Sequence, residues 1–560
     1  MDAPKGDGSV GCGWGVQMKP KKPTLPFDPF AIAQATSEVA IGLAMKPTHL
    51  LEVQMAAAQQ WGDFWTKALS GQESEKPRDR RFAAAGWQDD SYYRSIRDAY
   101  LLASKQLHEL VAVGDGSDHS QATARFLLDQ FLNAVSPSNF AATNPEVVER
   151  IKETNGGNLV RGFANLMEDV SSGKGIVQRR TDPNAFKKGE TIAATPGSVV
   201  FENELFQLIQ YSSTTDKVAA EPLLYVPPLV NRYYMIDLVP RQSLVKWLVD
   251  EGRTVFVISW VNPGEELKDK GVEDYVVDGI VTAVGEVRKR TDAAPDVFAF
   301  CLGGTLVAIA LAWLAAQKRG DEVNSATLIG SLVDFADMRD WSAFVHEGHL
   351  DALEDHLAAQ GYIDSLELQR LFAAMRANDL IWSSVVSHYL LDRDAPPSDL
   401  LYWFEDGARI PAAFLKSYNR ELLLNNRLQE PMAFKVRGTP VDLGAIETPM
   451  LVIALKDDHV SAWEAVYRGA RGIGADFILG GSGHNAGVIN PPAANKHGFW
   501  TRKDQPEDAN VWLTGATHNE GSWWPTWTKW LDRHGSMKKV EARKPRKPIE
   551  PAPGRYVMMP

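Results

Sequence analysis

Cysteine is almost missing from this chain: 560 residues hold two, Cys12 and Cys301. A pair so far apart makes no disulfide framework, and a reducing cytosol is the expected compartment. Long apolar runs are scarce as well. The longest, Leu302 to Ala316, is too short to span a bilayer and has two glycines in its first turn, so it reads as a helix buried in protein. The N-terminus offers no continuous apolar core of the kind a signal peptide needs. Positive charge is in deficit, and a formal net charge of −12 argues against nucleic acid as a main partner. No glycine-rich phosphate loop follows a strand-like run, and the histidines lack ligand spacing. Neither a metal nor a bound cofactor is therefore expected.

What is present divides by pattern. Residues 1–26, rich in Gly, Pro and Lys, read as a disordered tail. Residues 27–195 read as a helical domain: in 50-LLEVQMAAAQQWGDFWTKAL-69, Leu51, Met55, Ala58, Trp61 and Trp65 recur at three- and four-residue steps. From residue 196 the chain turns to short apolar runs, 222-PLLYVPP-228, 254-TVFVISW-260, 296-DVFAFC-301, 325-SATLIGS-331, 449-PMLVIAL-455 and 475-ADFILGG-481. Helix-like stretches separate them, which predicts an α/β fold with a mostly parallel sheet covered on both faces. The expected core occupies 196–333 and 447–535. Between its halves, 334–446 reads as a helical lid over the carboxyl ends of the strands, with helical patterns that include 366–391. Trp523, Trp527 and Trp530 at i, i+4 and i+7 predict a helix docked in the core. Residues 536–560 read as a mobile basic tail.

Cys301 lies where a strand-like run meets an apolar helix. A free cysteine commonly fills a core, but an elbow of the form G-x-nucleophile-x-G needs tiny residues on both sides, and here stand Ala299 and Gly303, with Gly304 next. Further along, 456-KDDHV-460 and 482-SGHN-485 each follow a late strand. Asp458 or Asp457 and then His484 thus fall in the order nucleophile, acid, histidine that an α/β-hydrolase uses. Asp457 reads better as a turn former, and His459 as a loop histidine paired with its neighbours. The expected triad is Cys301–His484–Asp458, with the imidazole taking the thiol proton. One oxyanion donor would be the N–H of Leu302; the other would be the N–H of Val230 or Asn231 in 226-VPPLVN-231.

Several longer stretches carry a resemblance. They are DRRF at 79–82, PGSVVFENELFQLIQY at 196–211, LLYVPPLVNRYYMIDL at 223–238 and SWVNP at 259–263, then FCLGGTL at 300–306, NDLIW at 378–382, DDHVSAW at 457–463 and SGHNAGVINPP at 482–492. In this order, from about Asp79 onward, the chain resembles the class I polyhydroxyalkanoate synthases of the α/β-hydrolase superfamily. Ala299, Val261, Ala377 and Ala462 depart from the family's usual residues. The resemblance implies an acyltransferase that polymerises short-chain (R)-3-hydroxyacyl-CoA, such as 3-hydroxybutyryl-CoA, into polyester with release of CoA. It implies Cys301, Asp458 and His484 as the catalytic residues, with Asp458 either orienting His484 or helping to activate the 3-hydroxyl. It further implies a homodimer at polyester granules in the cytoplasm, with the helical N-terminal region serving dimer, granule or partner contacts. A cysteine-dependent thioesterase or depolymerase would share the triad and differ by admitting water. A granule scaffold would show long amphipathic repeats, which this sequence lacks.

Overall fold

The computed structural model describes residues 29–70, 75–171 and 180–560; the tail 1–26 and Cys12 lie outside the described residues. Six longer helices build the N-terminal region: α1 (Pro29–Ala44), α2 (Pro47–Ser70), α3 (Ser91–Val113), α4 (Asp118–Ala134), α5 (Pro145–Thr154) and α6 (Gly157–Ser171). Polar caps start three of them. Asp90, Ser117 and Asn144 each accept from a backbone N–H in the first turn, which satisfies donors that have no partner inside the helix. α2 forms over the expected residues, but its apolar stripe does not face the protein. Leu51, Met55 and Trp65 are exposed. The contacting side is set by Trp61, whose Nε1 donates to Gln106 of α3 at 2.9 Å.

The core is one eleven-stranded sheet. Its first eight strands are β1 (Gly197–Glu202), β2 (Phe206–Tyr211), β3 (Leu223–Val226), β4 (Val255–Trp260), β5 (Asp296–Phe300), β6 (Ser325–Ile329), β7 (Met450–Leu455) and β8 (Asp476–Gly480). β9 (Phe499–Thr501), β10 (Thr517–Asn519) and β11 (Glu550–Pro551) complete it, in the order β11-β1-β2-β4-β3-β5-β6-β7-β8-β9-β10. β2 runs antiparallel to both neighbours, whereas β4, β3, β5, β6, β7 and β8 are mutually parallel. An antiparallel second strand and an exchange of β3 and β4, followed by a parallel run, is the strand order of an α/β-hydrolase. The strands are apolar throughout because both faces are covered. On one side lies α7 (Leu302–Ala316), buried along most of its length; on the other lies the helix Trp524–His534, where Trp527 donates to Thr327 Oγ1 of β6 at 2.9 Å.

The helical insertion that the sequence reads as a lid lies between β6 and β7. Its longest helices are α8 (Glu347–Gln360) and α9 (Ser365–Met375). The helical pattern at 366–391 forms helix, breaks at Arg376 (φ −126°, ψ 46°) and resumes as wide turns over Asn378–Leu390. The N-terminal helices brace this lid. Gln130 Nε2 donates to Ala374 O at 2.9 Å, Asn158 Nδ2 to Leu390 O at 2.6 Å, and the Tyr389 hydroxyl to Asp169 at 2.9 Å.

Residues 536–560 correct the expectation of a mobile tail. Lys539–Glu541 pairs with Lys217–Ala219, β11 extends the sheet beyond β1, and Val557 is buried. Arginines on both sides fasten it through backbone oxygens. Arg543 of the tail reaches Ala220 O at 2.7 Å, and from the core side Arg232 reaches Met559 O at 2.7 Å. Among the described residues, no helix is long and apolar enough to cross a membrane.

Candidate active site

Cys301 occupies the single residue between β5 and α7 with φ 53° and ψ −128°. A side chain in that region costs about 1–3 kcal/mol, a strain found where a turn must present an atom. Its N–H donates to Ile329 O at 2.9 Å, which ties the elbow to β6. The turn is possible because two glycines let the start of α7 pack closer than any side chain would allow. A Cβ on Gly303 would lie 2.5 Å from Val226 O, and one on Gly304 would lie 2.0 Å from Ser331 Oγ. Leu302 is the first residue of α7, so its N–H has no partner within the helix.

Two loops at the same end of the sheet bring the other groups. After β7, Asp458 turns back and accepts on Oδ1 from the N–H groups of Val460 (2.8 Å) and Ser461 (2.9 Å). Its Oδ2 receives His484 Nδ1 at 2.6 Å, and its side chain is fully buried. After β8, Ser482 at φ 75° redirects the chain so that His484 points inward, and Asp457 N–H bonds Ser482 O at 3.0 Å, joining the two loops. Phe300 covers the imidazole with ring centroids 4.7 Å apart. Burial works against charge on His484, but the Asp458 carboxylate and the Cys301 sulfur outweigh it and raise the imidazole to about 10.

Cys301 is half-buried and faces two cavities. One, of about 190 Å³, is apolar and lined by residues such as Leu302, Phe335, Met338, Phe414 and Tyr418. The other, of about 510 Å³, holds His484, His459, Phe300 and Trp403. Val230 lines both, whereas Asn231 lines only the wider. The 230–231 loop is stitched to the lid: Ala408 N–H bonds Val230 O at 3.0 Å, and Asn231 Nδ2 reaches Trp403 O and Phe404 O at 3.3 Å.

The structure therefore collects Cys301, Leu302, Val230, His484 and Asp458 around one point, with Asp457 contributing only its backbone N–H, to Ser482 O. His459 is not paired with its neighbours as the sequence suggested; its Nδ1 is buried without a partner. Sequence reasoning passed over Gly330, Tyr225 and Tyr418. Burial first, then the Cys301 sulfur, push both tyrosine hydroxyls upward. Gly330 alone had a visible signal, a glycine directly after an apolar strand.

Comparisons with known proteins bear on this arrangement. Residues 78–248 match the family model described as the N-terminus of poly-beta-hydroxybutyrate polymerase (PhaC). The chain is 40% identical to the poly(3-hydroxyalkanoate) polymerase subunit PhaC of Cupriavidus necator, over 92% of this chain and 89% of that one. It is 39% identical to the poly(3-hydroxyalkanoate) polymerase of Methylorubrum extorquens, over 92% and 87%. Among solved structures, a monoacylglycerol lipase from Paleococcus ferrophilus matches with 13% identity and a TM-score of 0.33, over 59% of this chain and 99% of that one.

Proposed function

Because the chain belongs to the poly(3-hydroxyalkanoate) polymerases, we propose that Cys301 carries the acyl chain as a thioester, with His484, held by Asp458, moving the protons. With the Cys301 proton held on His484 Nε2, the nitrogen that Asp458 leaves available, the sulfur attacks the thioester carbonyl of a hydroxyacyl-CoA. The backbone N–H groups of Leu302 and Val230 are the assigned donors to the resulting oxyanion. Collapse expels the CoA thiolate, which recovers the proton from His484 and leaves an acyl-cysteine thioester. The hydroxyl of a second hydroxyacyl unit then loses its proton to His484 and attacks that thioester. An ester forms, and the cysteine sulfur is released with the proton returned. Every step runs on the chain's own residues and the CoA thioester, so the reading needs neither cofactor nor metal.

What supports this reading is the buried 2.6 Å His484–Asp458 bond beside a thiol held on a strained elbow. Both oxygens of Asp458 are already engaged, which favours the orienting role over contact with the 3-hydroxyl. The narrow apolar cavity of about 190 Å³ supports a short acyl chain. The same reading makes the enzyme a homodimer at polyester granules. The exposed apolar side chains Ile41, Met45, Leu51 and Met55 of α1, α2 and the turn between them are a surface such contacts would use.

The experiment is thiol release from (R)-3-hydroxybutyryl-CoA by the purified chain, with the pellet analysed for polyester. Wild type should release CoA and deposit polymer, and Cys301→Ala should do neither. Asp458→Asn, which keeps the shape and loses the charge, should lower kcat by roughly 10³–10⁴. Thiol release with only soluble 3-hydroxybutyrate would make the chain a hydrolase, and release undiminished in Cys301→Ala would remove the cysteine from the mechanism.

A further inference from the structure

The wider cavity at Cys301 does not end there. Arg80, Arg376 and Asp379 line both it and a second cavity of about 510 Å³, which lies between the N-terminal helices and the lid. In a chain of net charge −12, this second cavity gathers four arginines, Arg80, Arg81, Arg376 and Arg393, against the carboxylates Asp79, Glu146 and Asp379. Two of these four cations are engaged. Arg81 is bound to Asp79 at 2.7 Å and to the Tyr100 hydroxyl at 2.9 Å, and Arg376 pairs with Asp379. Arg393 stands 3.7 Å from Glu146, too far for a direct hydrogen bond. Arg80 is exposed, and among the described residues it pairs with no carboxylate.

A coenzyme A thioester is long and unevenly charged. Its reacting sulfur sits at one end, a flexible uncharged pantetheine arm follows, and an adenosine with a pyrophosphate and a 3′-phosphate forms the other end. With the thioester at Cys301, the arm would lie in the wider cavity and the anionic end would emerge at the three shared residues. Guanidinium groups bind phosphate through paired hydrogen bonds, more strongly than neutral donors do. We propose that the cavity between the N-terminal helices and the lid receives the phosphate-bearing end of the CoA thioester, with Arg80 and Arg393 as its principal donors and Arg376 at the junction. This rests on the catalytic reading above. It makes the N-terminal region part of the substrate site as well as a brace for the lid.

The test compares two substrates in the full-length enzyme: (R)-3-hydroxybutyryl-CoA and the N-acetylcysteamine thioester of the same acid, which has no phosphate. Arg80→Ala should lower the ratio of kcat/KM for the CoA substrate to that for the truncated one by about tenfold, the size of one lost charge-assisted contact. Arg80→Lys should recover part of it, and Arg393→Ala should act in the same direction. An unchanged ratio would overturn the inference while leaving the catalytic reading intact. If wild type released thiol from neither substrate, the catalytic reading would fall instead. Calorimetric binding of adenosine 3′,5′-bisphosphate would then decide: about tenfold weaker binding in Arg80→Ala supports the site, whereas equal binding, or none to wild type, overturns it.

Discussion

A Cβ on Gly330 would stand 3.4 Å from Cε1 of His484 and 3.5 Å from its Nδ1. Gly330 is therefore the floor on which the imidazole rests. Those separations are ordinary contacts, so a methyl group fits. The cost lies in the backbone, since φ is +56°, and such a conformation costs a residue other than glycine about 1–2 kcal/mol. Gly330→Ala should lower the melting temperature by a few degrees and keep most of kcat. Gly330→Val should displace His484 and lower kcat by about a hundredfold, the usual effect of misplacing a catalytic group by an ångström. Calorimetry and thiol release on the two variants separate the effects. Equal kcat losses would mean that the space under His484 is not what matters.

The neighbour of Asp458 sets a pH limit on folding. Burial first, then the adjacent His484 and Arg376, push His459 down to about 4. The ring is thus neutral in the folded protein at neutral pH, while in the unfolded chain it titrates near 6.5. Between those values the unfolded state binds more protons than the folded one. Stability that is present above about 6.5 is lost as pH falls toward 4, by a total on the order of 3 kcal/mol. Urea melts from pH 8 to pH 4 should show a steeper loss in wild type than in His459→Gln. Parallel curves would mean that His459 is protonated in the folded state.

How far the sequence could be read depended on where each residue's partners lie along the chain. The runs around Val255–Trp260 and Met450–Leu455 announce strands because every position is buried, so composition alone reveals them. β2 hides behind Gln207 and Gln210. Both are buried polar residues bonded to distant groups, Gln210 to Arg543 O at 2.9 Å. For the same reason Arg543, which looks solvated in sequence, turns out to fasten the C-terminal segment. The stripe on α2 gives the helix correctly and its buried side wrongly, because period alone does not say which face meets a partner. The elbow at Cys301 and the two late loops were legible since each follows directly from a strand. The cavity walls were not, because Arg80 and Asp379 meet only through the packing of two separate regions.

Where α6 packs against the lid, a second variant can test what the lid does. A Cβ on Gly162 of α6 would meet Tyr389 O at 1.9 Å. Gly162→Leu must therefore part α6 from the lid, against the hydrogen bonds that Asn158 and Tyr389 make across the same seam, at a typical overpacking cost of about 1–3 kcal/mol. If the lid keeps water from the acyl-cysteine, the variant should release a several-fold larger share of its acyl units as free hydroxy acid, with shorter polymer. Product analysis by chromatography reads this directly. An unchanged ratio of acid to polymer would remove water exclusion from the functions of the lid.

Met338 offers a way to read the acyl site by size. It lines the narrow apolar cavity with Cys301 and is only half-buried, so its truncation should cost less than a fully buried methionine would. Met338→Ala lengthens the cavity, and each methylene that a substrate then buries is worth about 0.8 kcal/mol. Two methylenes separate 3-hydroxybutyryl-CoA from 3-hydroxyhexanoyl-CoA. The ratio of kcat/KM for the longer substrate to that for the shorter should therefore rise by roughly tenfold. Filling the same space with Met338→Trp should move the ratio the other way, and this second direction distinguishes a change of pocket size from a general loss of order. If neither variant moves the ratio, the acyl chain does not lie in this cavity. The wider cavity on the His484 side must then hold it, and the narrow one is packing space beneath the elbow.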